Sequence, residues 1–413
     1  MQSKFDIIVV GGGAAGFFTA INCCELFPGL KVAILERGKE VLNKVKISGG
    51  GRCNVTHAQF IPDELVRNYP RGEKELLGPF HNFMTGDTVA WFENRGVALK
   101  TEADGRMFPV TDSSQTIIDC FLNEIDRLGI SLFKGEGVKD ISQAGSGWHV
   151  RTNTSEFTAD FLVVATGSST IIWNLLGEMG HSIVPGVPSL FTFNIKDERI
   201  NELPGISVDV SVQVLSAEGK TLLESEGPLL ITHWGMSGPA ILKLSAWGAR
   251  VLHELDYRFS IRINWLEHQS FEEVLSELKH FKKEYALKGV RSNSVFGHPK
   301  RLWQSIVRAA GIPEQLSWAD LNKNHLRNLA QLITASRFEV NGKSTFKEEF
   351  VTAGGVDLKE VNFKTFESKK AQGLYFAGEV LNIDAITGGF NFQNAWTGGF
   401  MVAKAITDKL KNG

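Results

Sequence analysis

Near its beginning the chain reads Ile7-Ile8-Val9-Val10-Gly11-Gly12-Gly13-Ala14-Ala15-Gly16, and this stretch decides the fold. A compact apolar run (residues 5–10) precedes the glycines, an apolar-periodic stretch without internal Gly or Pro follows (14–26), and a second β-like run covers 30–36. Strand, helix and strand in this order form the βαβ unit of a parallel sheet. Gly11, Gly13 and Gly16 therefore fit the GxGxxG pattern in the structural context that gives the pattern meaning.

Each glycine of this pattern has a separate physical task. The first allows a tight turn, the second lets the backbone approach a pyrophosphate, and the third lets helix and strand pack closely, while the helix N-terminus attracts the phosphates. Glu36 ends the second strand, where an acid accepts hydrogen bonds from a ribose and disfavours a 2′-phosphate. The turn alone predicts a dinucleotide, either NAD or FAD. The candidate contacts here are Gly11, Gly13, Ala14, Ala15, Gly16, Glu36 and Arg37.

A second glycine-rich segment runs from Lys46 to Thr56. Its amides could form an anion-binding concavity beside the same helix N-terminus, with charge added by neighbouring basic side chains. The alternative is a mobile surface loop, since glycine-rich loops are common. The candidate contacts in this segment are Lys44, Ser48, Gly49, Gly50, Gly51, Cys53 and Asn54.

Two later segments have the same character. A buried strand ends in Ala165-Thr166-Gly167, a small-residue turn that is weak evidence by itself. The stretch from 378 to 399 is a glycine-rich turn leading into a final helix, which suits it to present amides and a positive dipole end to a planar, electron-accepting ring. The candidate contacts there are Gly378, Glu379, Gly388, Gly389, Phe390, Asn391 and Gln393.

The remaining pattern predicts how the chain is organised. Short alternating segments between 189 and 267 indicate an antiparallel β insertion, and the helical periodicity from 268 to 335 indicates a small helical subdomain. We therefore predict an α/β fold: a Rossmann-like domain (1–188) with a β insertion (189–267), a helical subdomain (268–335) and a return to the insertion edge and first domain (336–413).

Composition limits the partners. A net charge of −2 and a pI near 6.6 give no basic footprint, so neither nucleic acid nor a membrane is expected as a partner. The four cysteines include no CxxC pair, which fits a reducing cytoplasm, and no apolar run reaches transmembrane length. We expect a soluble cytoplasmic protein that acts on a small molecule; the oligomeric state stays open.

Together with four further segments, these motifs resemble the two-dinucleotide-binding-fold flavoproteins. The resemblance is specifically to the bacterial NAD(P)/FAD-dependent oxidoreductases of the aminoacetone-oxidase and bile-acid-reductase type, and it spans nearly the whole chain. It implies FAD in extended form, with the Gly11–Gly16 turn at the pyrophosphate, Glu36 at the adenosine ribose and the Val138 backbone near adenine. Asn54 and its loop would lie at the flavin side, and the Gly388–Gln393 turn at the ring. The four further segments are Gly105–Pro109, Thr232–Leu242, Val351–Val356 and Glu367–Lys369.

The chain departs from this family at two places. It runs from Ser168 to Asn174 directly into a predicted helix, where relatives carry a further glycine-rich stretch. Asn382 and Phe390 stand where relatives commonly have an acid and a tyrosine.

The resemblance implies an oxidoreductase that transfers two electrons between FAD and a small organic substrate. NAD(P)H is a possible transient donor, although no second GxGxxG follows a strand. His57 and His233 are candidate acids or bases, and Cys53 is either a reactive thiolate or a buried thiol. A flavin-bound redox sensor or assembly factor is the alternative. RNA modification is a third possibility, which the acidic balance disfavours.

Overall fold

The computed structural model describes residues 3–145, 147–344 and 351–412, which form two compact units. The first unit contains the residues up to Val187 and those from Val351 onward, and the second contains Pro188 to Ser344. No helix of the described residues combines the length and the apolar character needed to cross a bilayer. The first unit carries the glycine motifs, so we describe it first.

The strands of the described residues are β1 (Ser3–Val10), β2 (Val32–Glu36), β3 (Thr56–His57), β4 (Leu99–Thr101), β5 (Arg106–Pro109), β6 (Ser131–Lys134), β7 (Val138–Ala144), β8 (Gly147–Thr152), β9 (Glu156–Val164), β10 (Ile183–Ser189), β11 (Thr192–Asn194), β12 (Ser207–Leu215), β13 (Thr221–Ile231), β14 (Gly235–Ser237), β15 (Arg258–Asn264), β16 (Ser336–Asn341), β17 (Lys343–Ser344), β18 (Val351–Val356), β19 (Val361–Asn362), β20 (Glu367–Ser368) and β21 (Leu374–Phe376).

The helices are α1 (Ala14–Leu26), α2 (Asn43–Gly51), α3 (Pro62–Leu65), α4 (Glu73–Phe80), α5 (Thr85–Glu93), α6 (Ser114–Leu128), α7 (Thr170–Glu178), α8 (Pro239–Trp247), α9 (Ala249–Glu254), α10 (Phe271–Glu284), α11 (Lys300–Ala309), α12 (Lys323–Thr334) and α13 (Phe390–Asn412).

The first unit is built on a nine-stranded sheet in which β21, β9, β1, β2 and β6 are neighbours and pair in parallel. In the register of this sheet, Ile8 lies between Ala33 and Leu162. Ile7, Ile8 and Val9 are fully buried, as expected of a parallel strand covered on both faces. The carboxyl ends of β1, β2, β9 and β21 thus meet at one edge of the sheet, and the glycine turns follow there.

Helices α1 and α13 pack against each other because small residues occupy their contact. A Cβ on Gly399 would lie 3.0 Å from Thr19 Oγ1 and 3.1 Å from the Ala15 carbonyl oxygen. The last helix therefore returns to the first βαβ unit and completes its core.

The second unit contains a seven-stranded sheet in the order β16, β15, β12, β13, β14, β11, β17. The strand pairs β12–β13, β12–β15 and β15–β16 are antiparallel, as alternation in the sequence predicts. Inward residues of β12 share one hydrophobic core with Leu278, Trp303 and Leu329 of the helices α10, α11 and α12. The structure confirms the predicted fold class, a Rossmann-like α/β domain with an inserted antiparallel β region.

Candidate functional site

The turn after β1 requires glycine at two positions. Gly11 has φ +115°, and a Cβ there would lie 2.4 Å from the Ala165 carbonyl oxygen. A Cβ on Gly16 would lie 2.0 Å from the Gly11 carbonyl oxygen. Distances this short are excluded for real side chains, so these two glycines allow β1, β9 and α1 to approach each other.

Gly13 differs from Gly11 and Gly16 because neither its backbone conformation nor the surrounding atoms exclude a side chain at this position. Its φ is −99°, an ordinary value, and a Cβ there would meet no atom within 4 Å. Gly13 is the N-cap of α1, and no side chain caps this end of the helix, which leaves its first amides without a side-chain acceptor. Open space beside free helix amides suits the pyrophosphate of a dinucleotide.

The Glu36 side chain lies beside this turn. Its two carboxylate oxygens accept hydrogen bonds from the Gly12 amide (2.9 Å) and the Gly38 amide (2.7 Å), which fixes the side chain beside the turn. A carboxylate can accept about four hydrogen bonds, so acceptor capacity remains for ribose hydroxyls. Arg37 is exposed beside it, and the Val138 side chain is buried.

The Thr166 hydroxyl is a buried polar group without a hydrogen-bond partner in the described part of the protein. Thr166 follows β9 and lies next to Gly11. Leaving a buried hydroxyl unpaired costs about 1–3 kcal/mol, so such groups usually have a partner in the functional protein. The open space at Gly13 and this hydroxyl together fit a bound dinucleotide.

The second glycine segment is the end of α2 rather than a free loop. Ser48 leaves helical geometry, and Gly49, Gly50 and Gly51 all have positive φ, between +58° and +84°. A Cβ on Gly49 would lie 2.8 Å from the Phe108 ring, whereas Gly50 and Gly51 face open space. Successive amides in this conformation are suited to bind an anion.

Glu379 connects this segment to the turn after β21. One oxygen of its carboxylate accepts a hydrogen bond from Lys44, and the other accepts one from the Thr352 amide at 3.0 Å. Gly378, with φ +75°, lies close to α1, because a Cβ on it would be 3.0 Å from the Ala15 Cβ. A Cβ on Gly167 would be 3.6 Å from Glu379. Four separate segments of the sequence are therefore neighbours in the first unit.

Four consecutive residues, Asn54 to His57, each form a hydrogen bond with the start of α13 or the turn before it. With the Asn54 amide oriented to match its neighbours, its oxygen accepts from the Gly389 amide at 3.0 Å, and the Val55 carbonyl accepts from Trp396 Nε1 at 2.9 Å. The remaining two bonds run from Thr56 Oγ1 to Gln393 Oε1 (2.6 Å) and between His57 Nδ1 and the Gly388 carbonyl (3.0 Å). The two motifs predicted to face the flavin are thus one hydrogen-bonded unit.

Gln393 is fully buried and bonded within the protein. Its oxygen accepts from both Thr56 and Thr88, and its nitrogen donates to Thr397 Oγ1 at 3.1 Å. Its side chain therefore holds the first turn of α13 in place. The side chain is therefore not free to make the contact with a ring that we predicted for this residue, and its backbone amide donates to the Gly389 carbonyl at 3.0 Å.

The turn before α13 has further anchors that the sequence did not indicate. The fully buried Asp384 forms a bidentate ion pair with Arg71, and Tyr69 donates from its hydroxyl to the Phe390 carbonyl at 2.6 Å. Asn391 exchanges two hydrogen bonds with Ala385, which closes the turn on itself. The backbone between residues 384 and 391 is therefore fixed before any cofactor binds.

His57 is a half-buried neutral imidazole. Burial is the main cause that lowers the pKa of His57 below its usual value, although the bond to the Gly388 carbonyl acts in the opposite direction. The ring stacks on Phe390, with centroids 4.5 Å apart. Because Gly388 offers only an acceptor, the proton of the neutral ring lies on Nδ1, and Nε2 is left as an acceptor.

This pKa direction predicts how stability changes with pH. Unfolded His57 binds a proton at a higher pH than the folded residue does, so the unfolding free energy falls as the pH drops below about 6.5. We expect denaturant titrations at about pH 7.5 and 5.5 to show this loss, with a smaller loss in a His57→Gln variant. His181 and His298 have lowered pKa values for the same reason, so part of the loss stays in the variant. An unchanged loss in the variant would contradict the assignment.

Cys53 is buried, and burial raises the pKa of its thiol to about 12. The thiol is therefore protonated near neutral pH, which favours the packing interpretation over a reactive thiolate. Arg52 does not activate it, since its guanidinium pairs with Glu102 and lies over the Phe108 ring.

We expect Cys53 to resist alkylation by iodoacetamide in the native protein and to react only after unfolding. A Cys53→Ala variant should keep its bound flavin and its rate of flavin reduction within a factor of about two, because the thiol has no charge to contribute. Mass spectrometry of the labelled peptide measures the first result and rapid-mixing absorbance the second. Rapid labelling of the native thiol would count against this prediction.

The structure brings together every predicted cofactor residue in the first unit. His233 belongs to the second unit, where it lies exposed in the turn between β13 and β14 beside the exposed Trp234. Among the described residues, no group of three or more potential metal ligands is found.

This fold and this line of glycine turns define the class of the protein: a Rossmann-type flavoprotein oxidoreductase with an FAD-binding fold. The chain belongs to the HI0933-like family, because the family profile described as "HI0933-like protein Rossmann domain" matches residues 5–405. The resemblance stated from the sequence is confirmed.

Two relatives that match over nearly their whole length are named for an enzymatic activity. The ribosomal RNA dihydrouridine synthase of Escherichia coli is 29% identical over 415 residues, covering 98% of each chain. The 3-dehydro-bile acid delta(4,6)-reductase of Clostridium scindens is 26% identical over 411 residues, covering 97% of this chain and 98% of that protein. Because one relative is named for ribosomal RNA, our exclusion of nucleic acid as a partner is not supported.

A solved structure has the same fold. The 3-ketosteroid delta1-dehydrogenase from Sterolibacterium denitrificans, in complex with 1,4-androstadiene-3,17-dione, has a TM-score of 0.52 and 11% identity. The alignment covers 99% of this chain and 100% of that one. At this identity the likeness establishes the fold alone.

Proposed function

We propose that this protein is an FAD-dependent reductase that saturates a carbon–carbon double bond conjugated to a carbonyl group. The observation that carries the proposal is the line of contacts from Glu36, past Gly13 and Thr166, to Glu379 and the start of α13. These residues follow one another in the order of the groups of an extended FAD, which are the adenosine ribose, the pyrophosphate, the ribityl chain and the flavin ring.

The relatives support the type of bond. Dihydrouridine differs from uridine by two hydrogens across a ring double bond conjugated to a carbonyl. A delta(4,6)-reductase acting on a 3-dehydro bile acid likewise saturates double bonds conjugated to the 3-oxo group. The two names differ in substrate and agree in chemistry, so we propose the shared reaction for this chain.

The residues of this chain would bind and orient the reactants. Glu36 would hold the adenosine ribose, the free amides of α1 the pyrophosphate, and Glu379 with Lys44 the ribityl region. Reduced FAD supplies a hydride equivalent when it is bound. The first amides of α13, held by Asn54 and Gln393, would stabilise negative charge on the ring.

The protein must also deliver a proton to the substrate. Neutral His57 already donates its Nδ1 proton to the Gly388 carbonyl, so we propose that it positions the turn. His233, exposed in the second unit, stays the candidate acid or base that the sequence predicts. NAD(P)H is the proposed source of electrons.

The experiment is an anaerobic mixing assay with the purified holoprotein, in which NADH or NADPH first bleaches the oxidised flavin absorbance. A panel then tests reoxidation: a 3-oxo-4-ene steroid and a uridine-containing RNA, against the saturated ketone, an isolated alkene and dihydrouridine-containing RNA. Reoxidation by a conjugated member and by none of the saturated or isolated ones is the expected result. Equal reoxidation by the isolated alkene, or by no conjugated compound, would contradict the proposal.

A further inference from the structure

The segment that ends α2 contains backbone conformations that side chains rarely adopt. Gly49, Gly50 and Gly51 have φ between +58° and +84°, and Cys53 has φ +61°. Glycine adopts such values freely, but a residue with a side chain keeps them only where surrounding contacts determine its conformation. We call residues 49–53 the glycine run. Contacts with the rest of the first unit therefore impose the conformation of this run.

The glycine run packs against β5 on one side and is open on the other. A Cβ on Gly49 would lie 2.8 Å from Cε1 of Phe108, a fully buried residue of β5. A Cβ on Gly50 or Gly51 would meet no protein atom within 4 Å, and both residues are exposed. Gly50 and Gly51 are thus accessible to a ligand, while Gly49 is the point at which the protein holds the run.

The Arg52 side chain connects the run to the β4–β5 hairpin through three contacts. Its Nη1 pairs with Glu102 Oε1 at 2.6 Å, and its Nε donates to the Gly49 carbonyl at 3.3 Å. The guanidinium carbon lies 4.0 Å from the centroid of the Phe108 ring, which is a cation–π contact. Because one planar guanidinium makes all three contacts, Gly49 is held against the hairpin as long as Arg52 keeps its partners.

The neighbouring Arg106 makes no such connection. Arg106 shares Glu102 as a partner, at 3.0 Å, and also pairs with Asp104 at 2.7 Å. Its guanidinium lies 5.4 Å from the Phe108 ring centroid, and among the described residues it forms no hydrogen bond with the glycine run. Arg106 therefore has the same charge and the same acidic partner as Arg52 but does not hold the run.

We infer that Arg52 is a positioning residue for FAD: together with Glu102 it holds the glycine run in the conformation whose amides bind an oxygen of the cofactor. The inference rests on the FAD site of the proposed function. Successive amides in this conformation form a concavity that suits an electronegative group. Without Arg52 the three glycines populate other conformations, because glycine has the largest backbone freedom. The apparent dissociation constant of FAD then rises as the fraction of molecules in the competent conformation falls.

The test measures the dissociation constant of FAD for the full-length apoprotein by quenching of flavin fluorescence, without electron donor or substrate. Arg52→Met should raise this constant about tenfold, which corresponds to a competent fraction of about one tenth. Arg52→Lys keeps the charge and should stay within about threefold of the wild type. Glu102→Ala should raise the constant about threefold. The double variant Arg52→Met/Glu102→Ala should bind no more weakly than Arg52→Met, because both residues act through one contact.

The matched control is Arg106→Met, which removes a cation from the same network without touching the glycine run. This variant should bind FAD within about twofold of the wild type. The apoproteins of Arg52→Met and Arg106→Met should unfold at similar temperatures, because release of the run is a local change that leaves the core packed.

Four results would overturn the inference. Two of them are wild-type affinity in Arg52→Met and an equal loss of affinity in Arg106→Met. Unchanged or tighter binding by Glu102→Ala would indicate that the guanidinium contacts FAD directly. A loss in Arg52→Met that accompanies a lower unfolding temperature and is not recovered by Arg52→Lys would indicate general destabilisation. Because no donor or substrate is present, a protein that binds FAD in the expected pattern but reduces no conjugated compound contradicts the proposed function alone.

Discussion

The Gly13→Glu variant is expected to fold normally and to be purified without FAD. The φ of Gly13, −99°, is allowed for any residue, and a Cβ at this position meets no protein atom within 4 Å. The substitution should therefore not destabilise the fold. The added carboxylate would occupy the open space at the start of α1 and repel the pyrophosphate. At an effective dielectric constant near 20 this costs on the order of 3–4 kcal/mol, or two to three powers of ten in affinity.

The matched control is Gly16→Ala, which lies on the same turn but faces the protein. Its Cβ would be 2.0 Å from the Gly11 carbonyl oxygen, so this variant should lose solubility or thermal stability rather than cofactor alone. Thermal unfolding and the ratio of flavin to protein absorbance measure the two outcomes. A Gly13→Glu protein that retains stoichiometric FAD would show that the pyrophosphate does not lie at this turn.

The Asp384→Asn variant should lose about 3–5 kcal/mol of unfolding free energy, because it removes the charge of a fully buried carboxylate that pairs with the Arg71 guanidinium. Flavin affinity should fall with it, since the same turn leads to Gly388 and Gly389. Denaturant unfolding of the variant and wild-type apoproteins measures the loss without a contribution from the cofactor.

Two controls make this prediction specific. Glu40→Gln removes an exposed ion pair with Lys46 and should change the unfolding free energy by less than about 1 kcal/mol. Arg71→Met combined with Asp384→Leu removes both charges and should recover part of the loss. A loss in Asp384→Asn no larger than that in Glu40→Gln would contradict the structural role of the buried pair.

Local patterns in the sequence were sufficient for much of the fold. The alternation of apolar runs and glycines predicted β1, α1 and β2. Glu36 could be predicted because its spacing from Gly16 follows from the length of one helix and one strand.

The contacts that stabilise the candidate site could not be predicted from local sequence patterns. Lys44 and Glu379 are 335 positions apart, and the Arg71–Asp384 pair is separated by 313. No periodicity links such residues, because their proximity arises only when α13 packs on the first βαβ unit. Tyr69 and Thr88 were missed for the same reason, since a single hydroxyl in a helical or turn segment carries no local pattern.

Composition was not sufficient to predict the partners of the protein, since the exclusion of nucleic acid is not supported. A net charge near zero predicted that nucleic acid is not a partner, but charges interact over only about 8 Å at physiological salt, so the local distribution of charge matters more than its sum. The net charge of +4 in residues 268–335, from ten Lys and Arg against six Asp and Glu, was visible in the sequence. Only the structure shows that Lys282 donates to the Leu321 carbonyl, two residues before α12 begins.

The most direct test of the central claim, reduction of a conjugated double bond by FAD held at these turns, is mass spectrometry of a single anaerobic turnover. Pre-reduced wild-type holoprotein is mixed with an excess of conjugated substrate, and the Gly13→Glu variant is treated identically. The account predicts product heavier by two hydrogens, in an amount equal to the bound FAD, and none from the variant. Product from the variant, or substrate recovered unchanged while the wild-type flavin stays reduced, would contradict it.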